Sequence, residues 1–133
     1  MSTSSSAAQA ALALPVLRVE ELEQLQQLGV DSGDDIVPSL YEILCSDSVE
    51  RLQSMQKGLK DNDLRPVGAA AHSLRSSCAA LGGDRTSRLC QEIEMACRRS
   101  DKQEAATLYP ILEREMAAFL TAVGAFTTRN AKN

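Results

Sequence analysis

Tryptophan is absent from the sequence, and phenylalanine and tyrosine supply two residues each. With aromatics at 3% against 44% hydrophobic residues, any core must be aliphatic, which suits Leu- and Ala-rich helices better than a sandwich or barrel. Histidine is scarce too, since His72 stands alone. The four cysteines, Cys45, Cys78, Cys90 and Cys97, form no C-x-x-C pair and have no second histidine to complete a zinc set, so no metal site is expected. Cys90 and Cys97, seven apart, share a helix face and behave as small buried hydrophobes, which points to a reducing, cytoplasmic setting. Basic charge is in short supply as well. Fourteen Lys and Arg against eighteen Asp and Glu give a net charge of -4, which argues against general nucleic-acid binding. Long apolar runs are missing: "MSTSSSAAQAALALPVL" has no basic residue before its apolar stretch and is too short to span a bilayer. No membrane association is expected, and residues 1–17 read as a flexible tail.

What the sequence does contain is punctuated amphipathic segments, enough for one domain over residues 18–128 and a short C-terminal tail over 129–133. Val19, Leu22, Leu25 and Leu28 form one stripe ending at Gly29, a short first helix. Asp34 then offers a cap and Pro38 a first-turn residue for a segment with Val37, Leu40, Leu44, Leu52, Met55 and Leu59 on one face. It reads as one long helix or as two with a break near Ser46. Asp63 caps the next helix, which Gly82 and Gly83 end, and Asp84 caps another with Leu89, Ile93 and Ala96 inward. Asp101 with Glu104 matches a D-x-x-E capping box for a last helix to about Thr127, with a kink or late start expected at Pro110. The fold class is all-α: an antiparallel up-down four-helix bundle with an additional short N-terminal helix.

Charge is unevenly distributed along these helices. Residues 18–63 carry eleven acids against four bases, whereas residues 64–100 carry six arginines against Asp84, Glu92 and Glu94. The segment around His72 is therefore locally basic and favours an acidic or phosphorylated partner. Within it, Leu64, Val67, Ala71, Leu74, Cys78 and Leu81 already complete a core seam, which leaves His72 one step past it. The neighbours one turn away are Gly68, Ala69, Arg75 and Ser76. Small residues there leave the ring approachable, and Gly68 in mid-helix costs about 1 kcal/mol against Ala unless close approach requires it. Metal binding lacks ligands, and Cys78 lies almost opposite on the helix, which disfavours a Cys–His nucleophilic pair. Phosphoryl acceptance remains, because a neutral imidazole nitrogen is a good nucleophile near neutral pH. Arg75 could steady the phosphoryl oxygens.

These residues carry a resemblance. "AAHSLRSSCAALGG" resembles the signature of the histidine-containing phosphotransfer domain, roughly A-H-x-L-K-[GS]-S-x-x-x-L-G, matched by Ala71, His72, Leu74, Ser77, Leu81 and Gly82. "LCQEIEMACRRSD" resembles the family's following helix, and the likeness spans about residues 19–127. Arg75 stands where the family usually has Lys, and Ser76 where it often has Gly. The resemblance implies that His72 is the phosphoacceptor through Nε2, with Arg75 contacting the phosphoryl group and Arg65, Gly68, Ala69 and Ser76 contacting the partner. It implies a stoichiometric phosphocarrier, not an enzyme, relaying between receiver domains of hybrid sensor kinases and response regulators; a monomer is expected, with self-association left open. No cofactor of its own is expected, and Mg²⁺ is expected in the receiver. The alternatives are a bundle that sequesters a receiver or other partner without phosphorylation, and an unrelated helical adaptor with an idle histidine.

Overall fold

The computed structural model describes residues 5–130, which form six helices: α1 (Ser6–Leu12), α2 (Val19–Ser32), α3 (Ile36–Lys60), α4 (Leu64–Ala80), α5 (Asp84–Arg98) and α6 (Lys102–Arg129). Links of three residues join α3 to α4, α4 to α5 and α5 to α6, too short to run back along a helix, so successive helices alternate in direction. Helix α4 packs against both α3 and α5, and α6 closes the bundle against α3 and α5. The seam read from α4 is the core itself: Val67, Ala71, Leu74 and Cys78 are fully buried and Leu81 nearly so. They meet Leu89, Ile93, Leu108, Leu112, Met116 and Phe119 from α5 and α6 and Leu44 and Met55 from α3.

Two helices precede the bundle, and the expectation of a flexible tail over residues 1–17 does not hold for residues 5–17. Ser5 caps α1 by accepting from the Ala8 N–H at 2.9 Å, and Ala8 and Ala11 are buried against α5. Alanine is the best helix former, and its small side chain lets two helices approach closely. The strand of chain after α1 is pinned as well. Arg85 donates to the Leu14 carbonyl at 2.8 Å, and the Arg18 N–H donates to the Gly82 carbonyl at 2.8 Å. The Arg18 guanidinium also bridges Asp84 and Glu21. Gly82 lies at φ +81°, and a Cβ on it would stand 2.6 Å from the Arg18 carbonyl, so the α4–α5 turn admits this strap only with glycine there.

Several boundaries also differ from the sequence reading. Helix α2 continues past Gly29 to a left-handed stop at Gly33, because Gly29 is needed where the Asp34 carbonyl crosses α2 and a side chain would collide with it. Helix α3 is one unbroken helix, with Asp35 at its cap position and Pro38 in its first turn. Asp84 occupies the first turn of α5, and Gly83 precedes it as the cap residue. The α6 capping box forms by half. Asp101 accepts from the Glu104 N–H at 3.1 Å, while its own N–H goes to the Ala96 carbonyl. Helix α6 runs on through Pro110, which like Ala106 one turn earlier is exposed, so the hydrogen bond that proline removes falls on the watered side.

The four cysteines are free thiols, and among the described residues no helix is long and apolar enough to cross a membrane. Leu74, fully buried at the centre of the seam, is the direct test of this core: Leu74→Ala should destabilise the fold by about 2–5 kcal/mol in denaturant unfolding.

Candidate functional site

His72 projects from the α5-facing shoulder of α4 with its side chain 60% exposed. One nitrogen is taken. Its Nδ1 lies 2.8 Å from Oε2 of Glu94, a residue of α5 whose side chain is only 8% exposed. Glu94 is held from two further directions. Arg98, one turn along α5, donates to the same Oε2 at 3.0 Å, and the Arg75 guanidinium stands 3.4 Å from Oε1. Oε1 accepts no hydrogen bond among the described residues. A carboxylate between two guanidiniums accepts and does not donate, so in the neutral ring the His72 proton sits on Nδ1 and the lone pair is on Nε2. Helices α4 and α5 are tied together beside this cluster by the Ser87 hydroxyl, which donates to the Arg75 carbonyl at 3.1 Å.

A groove of about 670 Å³ runs from the start of α4 to His72, between Leu64, Arg65, Gly68 and Ala69 on one side and Glu94, Cys97, Arg98 and Ser100 on the other. Of the residues expected to meet a partner, Arg65, Gly68 and Ala69 lie in this groove with His72. Ser76 does not. It lines a smaller depression on the opposite side of α4, with Leu40 and Ile43 of α3. Arg65 is bound to Asp63 at 3.2 Å and projects into solvent. That contact, with the Arg65 backbone N–H also donating to Asp63, lowers the Asp63 carboxyl below its ordinary range. Among the described residues Arg75 pairs only with Glu94, which it shares with Arg98 and His72.

Gly68 has a different neighbour from the one expected. A Cβ there would stand 3.3 Å from Cys97 Cβ and 3.8 Å from its Sγ, so the small residue serves the close approach of α4 to α5 and does not simply clear a path for a partner. Cys97 is half-buried, and burial first and Glu94 second raise its thiol above the ordinary value, which keeps it a poor nucleophile beside His72. Cys78 is fully buried and faces the core, away from the ring.

Glu94 and Arg98 were not singled out in the sequence as site residues. The available signal was weak: their four-residue spacing also describes an ordinary helix-face ion pair, and nothing in it indicates the histidine 22 residues earlier. Among the described residues there is no group of three or more His, Cys, Asp or Glu side chains that could hold a metal ion.

The helical bundle with one exposed, carboxylate-oriented imidazole finds its class in comparison with known proteins. The family model described as Hpt domain matches residues 39–124, from the first turns of α3 to the last turns of α6. The chain belongs to the Hpt domain family of histidine phosphotransfer proteins. Among solved structures it is similar to histidine-containing phosphotransfer protein B (HptB) from Pseudomonas aeruginosa PAO1, at 29% identity and a TM-score of 0.77, over 86% of this chain and 96% of that one. The maize histidine-containing phosphotransfer protein ZmHP2 shares the fold at 20% identity and a TM-score of 0.77, over 91% and 92% of the two chains. MtHPt2 from Medicago truncatula does so at 19% and 0.70, over 96% and 91%. No curated protein matches the sequence.

The packing at Gly68 gives a testable expectation. Gly68→Ala should not deliver the gain of about 1 kcal/mol that helix propensity alone would give, because Cys97 must shift to admit the methyl group. Thermal unfolding of the two proteins side by side checks this.

Proposed function

We propose that this protein carries a phosphoryl group on Nε2 of His72, taking it from an aspartyl phosphate of one receiver domain and delivering it to the aspartate of another. The observation that carries this assignment is the 2.8 Å contact between Nδ1 and Glu94, which in the neutral ring puts the lone pair on the outward nitrogen of a side chain 60% exposed. Transfer proceeds in line: the Nε2 lone pair forms the N–P bond as the aspartyl O–P bond breaks and the carboxylate leaves. The positive charge that develops on the ring is met by Glu94, which already accepts the Nδ1 proton. Delivery reverses these steps. This chain contributes the nucleophile and its orientation, while Mg²⁺ belongs to the acidic pocket of the receiver.

Arg75 is the group on this chain best placed to follow the phosphoryl oxygens. Its 3.4 Å approach to Glu94 is an ion pair without a made hydrogen bond, so the guanidinium can turn to a new anion at little cost. Arg65, Gly68 and Ala69 provide a partner with the groove on one side of His72, and Ser76 provides the other side. The local excess of arginine over acid suits the acidic rim around a receiver's aspartate. The free cysteines fit a cytoplasmic setting.

Incubation with a panel of phosphorylated receivers should place label on the protein that is labile in acid and stable in alkali, as a phosphoramidate is. The label should be lost in His72→Gln, and label that survives acid or persists in that variant would exclude the relay. Arg75→Ala should slow uptake about tenfold, or about 1.4 kcal/mol of barrier. Its melting temperature should stay close to that of the parent, because Arg75 lies off the buried seam.

A further inference from the structure

Arg98 and His72 compete for one atom. Both donate to Oε2 of Glu94, at 3.0 Å and 2.8 Å, while Arg75 faces the other oxygen at the longer distance of 3.4 Å. The Glu94 side chain is 8% exposed and that of Arg98 is 72% exposed, so the shared oxygen joins a buried carboxylate to a guanidinium that reaches it from solvent. An i,i+4 pair on a helix face ordinarily does little beyond adding a few tenths of a kcal/mol. Here the acceptor oxygen also sets which nitrogen of the phosphoacceptor is bare. Two departures from the observed state would spoil that. If Glu94 loses its hold and turns away, the ring can place its proton on Nε2. If Glu94 stays but its charge is less compensated, it favours a ring protonated on both nitrogens. In either case the Nε2 lone pair disappears.

We propose that Arg98 is a positioning residue for phosphotransfer: through its bond to Oε2 it holds the Glu94 carboxylate against Nδ1 and neutralises part of its charge, which keeps the outward nitrogen of His72 unprotonated. The proposal rests on the relay assigned to His72. It acts through Glu94, since among the described residues no hydrogen bond joins Arg98 to the ring itself, and it names a side chain on the helix after the one that carries His72.

The test exploits the presence of a single histidine, because imidazole nitrogen signals then need no assignment. Nitrogen-15 NMR at neutral pH separates a bare ring nitrogen from a protonated one, and it reads the fraction of rings with bare Nε2 in the unphosphorylated, full-length protein. Arg98→Ala should lower that fraction at least about twofold and slow phosphoryl uptake from a receiver in the same proportion. The melting temperature should hardly move, and Arg98→Lys should restore most of the bare fraction. In a Glu94→Gln background, where a neutral amide oxygen needs no compensation, Arg98→Ala should leave the ring signal where it was. A ring signal unchanged by Arg98→Ala in the parent overturns the proposal, whatever happens to stability or uptake. An equal response in both backgrounds overturns it too. Failure of the parent protein to take up phosphate from any receiver overturns the relay instead, and the ring signal then still decides what Arg98 does to His72.

Discussion

The carboxylate of Glu94 is the point on which the functional geometry depends. It is buried, so it requires partners, and it finds them on both helices that form the site: His72 and Arg75 on α4, Arg98 on its own α5. A buried charge of this kind is weak evidence for stability, but its partners are met only where α4 and α5 lie side by side as they do here. That placement is fixed independently by the apolar seam, by the close contact at Gly68 and by the Ser87 bond to the Arg75 carbonyl. The imidazole can therefore stand in solvent and still hold a defined orientation.

This arrangement separates two tasks that often conflict. The core side of α4 is filled with Val67, Ala71, Leu74 and Cys78, which contribute burial and no chemistry. The shoulder one step away carries the exposed His72 imidazole. Under the proposed relay, changes at His72 and Arg75 act on transfer, while changes in the seam act on stability. The groove between Arg65 and Arg98 and the depression by Ser76 leave both flanks of the ring open to another molecule.

The four-helix bundle could be read from the sequence because its helices announce themselves locally: the 3-4 spacing on α4, the Asp63 cap and the Gly82–Gly83 stop are all short-range signals, and each survives in the structure. His72 stood out for a local reason as well, its small neighbours. What could not be read is tertiary. Helix α1 looked like a tail because a helix of seven residues is too short to be stable in water without tertiary contacts, however well alanine suits it. Only the α5 surface and the Arg85 bond to the Leu14 carbonyl decide between tail and helix. Gly29 looked like a stop, yet the chain crossing at Asp34 is what requires it. Glu94 read as one more helix-face acid until α5 was laid beside α4.

The three-residue links between the bundle helices also bear on how the chain reaches this state. Most of the packing joins helices that follow one another directly, α3 with α4, α4 with α5 and α5 with α6, so a large share of native contacts closes only short loops. Helical topologies of that kind lie at the fast end of folding rates. The pairing of α3 with α6 and the seating of α1 on α5 are the long-range closures, and their loop entropy must be met after the local hairpins exist. The α4–α5 hairpin, which brings His72 to Glu94, is among the local ones. His72 is thus oriented by a unit of sequence neighbours, and the contacts that orient it close only a short loop.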